Sequence, residues 1–406
     1  MKQTAMDSDV LFLPHEIIRN ILKRLPVESL IRFQCVCKDW KNLMQIPSFI
    51  ADHLQQSTHQ NPSLLLECKG MDIPLCWRFI LFDCELRVRG VQNLPWNNPL
   101  RNASIVGSCN GLLCLEIHQF NQPLHSLSFS LWNPKTRAVR HVPRTITDIS
   151  FLNYCTTGFG FSPIVNDYRI VRTFALFYDV VTQVEVFSLN RGTWKAIDIG
   201  NLKGVILKSE TVTANGAIFW SGVKLVGEKE GEDNIDFQED EDYIEEAGDK
   251  VDVIVSFDIA KEVFSVIPRP DLDYDAGVKL TVYENKLALL CDTWEDDDEI
   301  PHVIDLWVLY EGTSCASGQT WSWTKRYTSS PLLCLLVPTT IWRNEIVYKP
   351  ISEEDDDKGR RNVLYMRNLA TNEVKRSVIP YRNYILPINN YVESLVSVGN
   401  NYIEES

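Results

Sequence analysis

Between residues 100 and 380 one phrase keeps returning: an apolar run, a tight turn containing Asn, and a second apolar run. It reads SCNGLLCLE at 108–116, TANGAIFWSG at 213–222, YENKLALLCD at 283–292 and WRNEIVYKP at 342–350. Asn-Gly between apolar runs is the strongest short hairpin signal, because both turn positions need positive φ. The last two copies keep only the Asn, which enters that region less readily than Gly. A second phrase, two strands around a polar turn, reads LWNPKTRAVRHVP at 131–143, VEVFSLNRGTWKAI at 184–197, IVSFDIAKEVFSVIP at 254–268, LWVLYEG with WTKRY between 306 and 327, and VLYMRNLATNEVKRSVIP at 363–380. Together these give about four strands per unit, repeated about five times.

A sheet that covers only its neighbours is buried by arranging the repeats around an axis, and the closed ring removes open edges. Leu64–Val91 and the terminal YVESLVSV at 391–398 are left over, and they are expected to pair as one mixed blade that closes the ring. Dividing the chain after the N-terminal region by ~50 to 60 residues per blade gives about six or seven blades, of which six is the number expected here. The fold class expected is mainly β with a small N-terminal α module: a helical bundle followed by a β-propeller of about six blades.

Residues 11–55 have a different texture. Pro14 followed by Glu16 marks a helix start, since proline fits the first turn and an acid suits the positive end of the dipole. Ile17, Ile18, Ile21, Leu22 and Leu25 form an apolar stripe at helical spacing. Pro26 ends that helix and opens another bearing Leu30, Ile31 and Phe33; Val36, Trp40, Leu43 and Met44 outline a third, which stops near Pro47. Three or four short helices bury too little apolar surface to be strongly stable alone, so part of their apolar face should meet something else. Residues 1–10 read as a disordered N-terminus, and 56–62, polar and ending in Pro62, as a linker or helix end.

In order and without insertion, LPxE, the aliphatic stripe, LPVxSL, RFxxVCKxW and IPSFI resemble the F-box, the module that docks substrate receptors onto a Skp-type adaptor of cullin-RING ubiquitin ligases. The resemblance implies adaptor contact for Leu13, Pro14, Ile17, Leu25, Pro26, Val27 and Cys37, with Ile21, Leu22, Leu30 and Trp40 partly bundle core. The phrases IVGSCNGLLCL, LWNPKTR, GFGFSPIVNDYRIVR at 158–172, VFSLNRGTWK and YVESLVS are similar to the F-box-associated, kelch-like propeller region of plant F-box proteins, a family that includes the S-locus F-box proteins. The likeness runs over roughly residues 60 to 400, although the Gly-Gly doublets of kelch repeats proper are missing. It implies a substrate-recognition subunit that binds a Skp-type adaptor, and through it cullin and RING subunits, and holds a target on the propeller. The alternatives are a non-degradative F-box scaffold, or a propeller lectin or enzyme with an incidental helical cap.

Composition narrows the partners. No run approaches the ~18 to 20 apolar residues of a membrane span, and MKQTAMDSDV lacks an apolar signal core, so no membrane partner is expected. Eleven cysteines in 406 residues, with no CxxC pair or His cluster at metal spacing, read as buried small side chains and predict no metal, no disulfide framework and a cytoplasmic or nuclear setting. The formal charge of -14 disfavours nucleic acid and favours encounter with a basic target. Acids concentrate in tracts at 227–249, with twelve, and at 294–300 and 352–358, all read as solvated loops. SLNRGTW at 188–194 loosely resembles the Ser-x-Asp-x-Gly-x-x-Trp turn of sialidase-type propellers, but it is one residue short and has Asn190 for Asp, so a hairpin with Trp194 in the core is expected. Trp132, Trp220 and Trp342 should pack between sheets likewise, leaving Trp96 and Trp294 as candidate target anchors. No GxSxG, HExxH, P-loop or GxGxxG occurs, which predicts no cofactor and no bond chemistry by the chain itself.

Overall fold

The structure is a computed structural model that describes residues 13–60, 62–69, 77–96, 101–119, 127–147, 153–176, 180–226, 249–272, 277–292, 303–311, 321–331, 336–350, 362–379 and 384–399. The proposed disordered N-terminus at 1–10, Trp294, and the acidic tracts apart from Asp249 lie outside the described residues.

Four helices come first: α1 (His15–Leu22), α2 (Val27–Phe33), α3 (Lys38–Leu43) and α4 (Pro47–Gln60). Pro14 and Pro26 cap the first two at φ -52° and -58°, and Pro47 opens the fourth, so each proline stands where a missing N–H costs nothing. Residues 56–60 are the last turn of α4, so the polar stretch read as a linker or helix end is a helix end. Leu22, Val27, Leu30, Met44 and Phe49 form the core of this bundle, and Leu395, from the far end of the chain, completes it.

Twenty-four strands among the described residues form six four-stranded antiparallel sheets. Blade I holds β1 (Ser63–Lys69), β2 (Trp77–Phe82) and β3 (Val88–Asn93); blade II β4 (Arg101–Cys109), β5 (Leu112–Gln119), β6 (Leu127–Asn133) and β7 (Ala138–His141); blade III β8 (Asn153–Ser162), β9 (Asp167–Leu176), β10 (Val181–Ser188) and β11 (Thr193–Ile197). Blade IV holds β12 (Val205–Ala214), β13 (Ala217–Val226), β14 (Asp249–Asp258) and β15 (Val263–Pro268); blade V β16 (Gly277–Tyr283), β17 (Lys286–Asp292), β18 (Ile304–Glu311) and β19 (Trp321–Thr328); blade VI β20 (Leu336–Trp342), β21 (Glu345–Pro350), β22 (Asn362–Asn368) and β23 (Val374–Ile379). The last strand, β24 (Tyr384–Tyr391), pairs with β1 as the innermost strand of blade I. Strands β4, β8, β12, β16, β20 and β24 touch in that order around a closed ring.

The mixed blade is therefore present, but its closing strand is 384–391 rather than 391–398. Pro387 and two asparagines make YILPINNY read poorly as a strand. The innermost strand tolerates them, because one of its edges is unpaired and Pro387 falls in the bulge between the Ile385 and Ile388 pairings.

The repeated phrases fold as two kinds of hairpin. The inner turns carry the expected positive φ at Asn110 and Gly111 and at Asn215 and Gly216; in blade V it falls on Glu284 and Asn285, and in blade VI on Arg343. In the outer turns a polar residue opens the hairpin by accepting two backbone N–H groups: Asp83, Asn133, Asp258 and Asn368 each do so. This Asx geometry gives the polar turns of these four blades a mechanical role.

Antiparallel pairing sorts the loops. Both hairpins of blades II to VI, and the β2–β3 hairpin of blade I, emerge at one end of the ring, the turn face, while the connections between second and third strands and between blades emerge at the other, the connection face. Neighbouring turns meet there: Asn285 Nδ2 donates to Asn215 Oδ1 at 2.7 Å, and Gly216 lies beside Ser162 and Pro163. Every acidic tract is inserted between a second and a third strand, so the strand ends flanking all three are on the connection face.

Candidate functional site

On α1 the apolar residues split into two adjacent stripes. Ile18 and Leu22 face the bundle core with Leu25 just beyond them. Leu13, Ile17 and Ile21, spaced four apart, face solvent at 55%, 45% and 48% exposure. Val36, in the turn before α3, is 60% exposed, and Cys35 and Cys37 beside it are also exposed. An uncovered apolar stripe on a small bundle is the surface expected of a docking element.

Of the seven residues assigned to this surface from sequence, Leu13, Pro14, Ile17, Pro26 and Cys37 are exposed and Leu25 is half-buried. Val27 is a correction: it is fully enclosed, because the residue following the Pro26 cap turns into the core against Leu22 and Phe49. Ile21 departs in the other sense, standing outside, whereas Leu22 and Leu30 are buried as expected. Ile21 and Val36 join the candidate surface. The doubling 17/18 and 21/22 signals two stripes, but only the packed bundle decides which faces inward.

Charged and polar side chains brace the back of this surface. Arg19 pairs with Asp52 at 2.7 Å and lies over the Phe49 ring. His53 is buried and its Nε2 is 3.0 Å from the Leu25 carbonyl, with burial pushing the imidazole pKa down. Lys135, in the outer turn of blade II, donates to Glu28 of α2 at 2.9 Å, and this hydrogen bond holds the Glu28 carboxyl below its usual range.

The bundle sits on the turn face, held by the segment after β24. Glu393 lies 2.9 Å from Lys135 and 3.5 Å from Arg89 of β3. Asn133 Nδ2 donates to the Ser394 and Val396 carbonyls at 3.0 and 2.9 Å, and Ser394 Oγ donates to the Asn110 carbonyl at 2.6 Å. Leu395 enters the helical core and Val398 the core between blades II and III. Gly111 is required twice over, at φ 79°, where a Cβ would also run into Ser394 and the Val392 carbonyl.

On the propeller, Trp132, Trp194, Trp220 and Trp342 are buried, and Trp194 donates to the Pro143 carbonyl at 2.7 Å. Trp96 is half-buried, packed with Leu94 against the cluster of Leu65, Phe79 and Trp132, so only part of its ring is available to a partner. Burial pushes the Cys109 and Cys291 thiols up to about 12, which leaves them weak nucleophiles. Among the described residues no group of His, Cys, Asp and Glu is placed to hold a metal, and no helix is long and apolar enough to cross a membrane.

Residues 10–51 match the F-box domain, and residues 87–230 and 243–383 match the F-box associated beta propeller domain. F-box protein CPR1 of Arabidopsis thaliana is 23% identical, over 90% of this chain and 79% of its own length. Two F-box/kelch-repeat proteins of the same plant are 22% and 23% identical, covering 77% and 96% of this chain and 78% and 95% of their own. Among solved structures, a putative 6-phosphogluconolactonase from Bacteroides fragilis is similar over 82% of this chain at a TM-score of 0.38 and 9% identity, which carries no argument about activity.

Proposed function

The chain belongs to the F-box proteins that carry an F-box-associated β-propeller, and from that premise we propose that it is the substrate-recognition subunit of a Skp–cullin–F-box ubiquitin ligase. The observation that carries this reading is the solvent-facing stripe of Leu13, Ile17 and Ile21 on a bundle whose opposite side is anchored to the turn face. A Skp-type adaptor covers that stripe and links the chain to cullin and RING subunits. The target is held on the connection face, which points away from the bundle and lies among the strand ends that flank the acidic tracts; their charge favours a target with a basic surface.

The chain makes and breaks no bonds in this role. Holding a target beside a charged conjugating enzyme raises the effective concentration of its lysines, and the gain is one of proximity. The reading also puts the protein in a reducing cytoplasm or nucleus.

Co-purification of the full chain with a recombinant Skp-type adaptor tests it. The wild type is expected to elute with the adaptor, and the Ile17→Asp/Ile21→Asp variant to elute alone while keeping its propeller fold. Retention of the adaptor by that variant at full affinity would remove the docking assignment.

A further inference from the structure

Beside blade IV runs an open groove of about 500 Å3, a volume within the range of specific ligand sites. Its walls come from three places. The short turn Gly200–Leu202 and Lys203 belong to the connection from β11 to β12, and Asn201 Nδ2 pins that turn by donating to the Phe264 carbonyl of β15 at 2.8 Å. Lys224 is exposed near the connection-face end of β13, and Ser265 and Val266 lie on β15. Trp321, the first residue of β19, closes the far side, half-buried against the core shared by blades IV and V.

The two lysines differ from the other cations around blade IV. Lys195 pairs with Glu262 at 2.8 Å, Lys261 with Asp258 at 3.1 Å, Lys279 with Glu210 at 2.5 Å, and Arg269 and Lys208 both with Asp252 at 2.5 and 3.9 Å. Lys203 and Lys224 have no carboxylate partner among the described residues. Among the described residues, two ammonium groups of a chain with formal charge -14 thus stand without a carboxylate partner on adjacent stretches of one groove, Lys224 being paired across the sheet with Val205 two residues after Lys203, and Trp321 lines the same groove.

We propose that this groove is a docking site for a short, extended, acidic peptide segment of the target. The inference rests on the propeller being the target-binding domain, and it names what one part of that domain recognises. Carboxylates of the peptide meet Lys203 and Lys224, its backbone meets the Asn201 and Ser265 side chains, and an apolar side chain between the acids lies against Trp321. Ammonium groups on flexible stems suit carboxylates at variable positions, whereas the planar fork that favours bidentate phosphate recognition is missing from the lining. The volume admits a few residues of extended chain rather than a folded surface. Most of the recognition is therefore electrostatic, and it weakens as salt rises.

The test uses the full chain and a fluorescein-labelled peptide Glu-Asp-Glu-Leu-Asp-Glu, with Gln-Asn-Gln-Leu-Asn-Gln as the uncharged probe, read by fluorescence anisotropy at low and physiological salt. The acidic probe is expected to bind and the uncharged probe not to. The Lys203→Glu/Lys224→Glu variant should bind about tenfold more weakly or not at all, because each reversal turns attraction into repulsion. Lys261→Glu/Lys286→Glu makes the same change in net charge outside the groove and should bind as the wild type does. Equal losses in the two double variants, or no binding by the wild type, would overturn the proposal. Binding seen only after the acids of 228–248 are replaced by Ser and Gln would overturn it in favour of an occupant from the chain's own sequence. Adaptor co-purification on the same preparations reports on the F-box separately, so a failure of the groove is distinguishable from a failure of the ligase reading.

Discussion

Lys135 and Glu393 lie 2.9 Å apart with their side chains only 8% and 7% exposed, tying the outer turn of blade II to the tail of the chain beneath the helical bundle. A pair so little exposed is costly to break from one side, because the partner keeps its charge without compensation. Lys135→Met leaves Glu393 with Arg89 at 3.5 Å and removes the Glu28 contact as well. The expected loss is about 3 kcal/mol, seen in urea unfolding and as faster amide exchange in α1–α4. Adding Glu393→Gln should recover most of it. A double variant no more stable than the single would mean that the pair is uncoupled.

Leu395 gives a second, apolar measure of the same junction. It is 8% exposed and packs among Leu22, Val27, Leu30, Met44 and Phe49, none of which is within 340 residues of it in sequence. Leu395→Ala should cost about 2–5 kcal/mol, the range for truncating a core leucine. The helical amides should exchange faster while those of β5 and β9 keep their protection. If the helices were unaffected, the tail would not be part of their core.

The docking stripe predicts a contrast between neighbours on one helix. Ile17→Asp and Ile21→Asp change exposed positions and should alter stability by no more than about 0.5 kcal/mol each, while each weakens adaptor binding about tenfold or more. Leu22→Asp, one residue from Ile21, buries an unpaired carboxylate and should unfold the bundle outright. Isothermal titration with adaptor, alongside circular dichroism, separates the two effects. Similar stability losses for all three would mean that the stripe is core.

These contrasts mark what sequence alone could carry. The hairpin phrases were legible because Asn110-Gly111 and Asn215-Gly216 need positive φ, and local turn chemistry repeats wherever the blade repeats. That period allows about six or seven blades, and six sheets are present among the described residues. The closing strand lies at 384–391 rather than 391–398 because the valine-rich segment Val392 to Val398, strand-like in composition, sends its hydrogen bonds to Asn133 and Asn110 rather than to a neighbouring strand. Val27 and Ile21 exchanged roles for a related reason. Helical spacing fixes which residues share a face, but the tail, arriving from residue 395, decides which face is covered. The groove left no sequence signal, since Lys203, Lys224 and Trp321 come from separate elements and meet only across blades IV and V.

Glu67 supplies a pH dependence whose sign can be worked out. It is buried on β1, Oε2 accepts the Ile105 N–H at 3.3 Å across the gap from blade I to blade II, and Oε1 has no hydrogen-bond partner. Burial pushes its pKa up from 4.5 to about 7. The folded state therefore holds a proton that the unfolded chain releases between these values, so stability falls as pH rises through the window. Below pH 4.5 both states are protonated and the residue contributes no penalty; above about 7 the penalty levels off at about 3 kcal/mol. Glu67→Gln keeps an acceptor for Ile105 and cannot ionise, so the variant should gain on the wild type by an amount that grows from pH 4.5 to 7 and then stays constant. Urea unfolding of both proteins at pH 4.5, 6 and 8 checks it. A difference in stability that does not change with pH would mean that Glu67 is already ionised in its buried site, with a counter-charge nearby that the Ile105 contact does not supply.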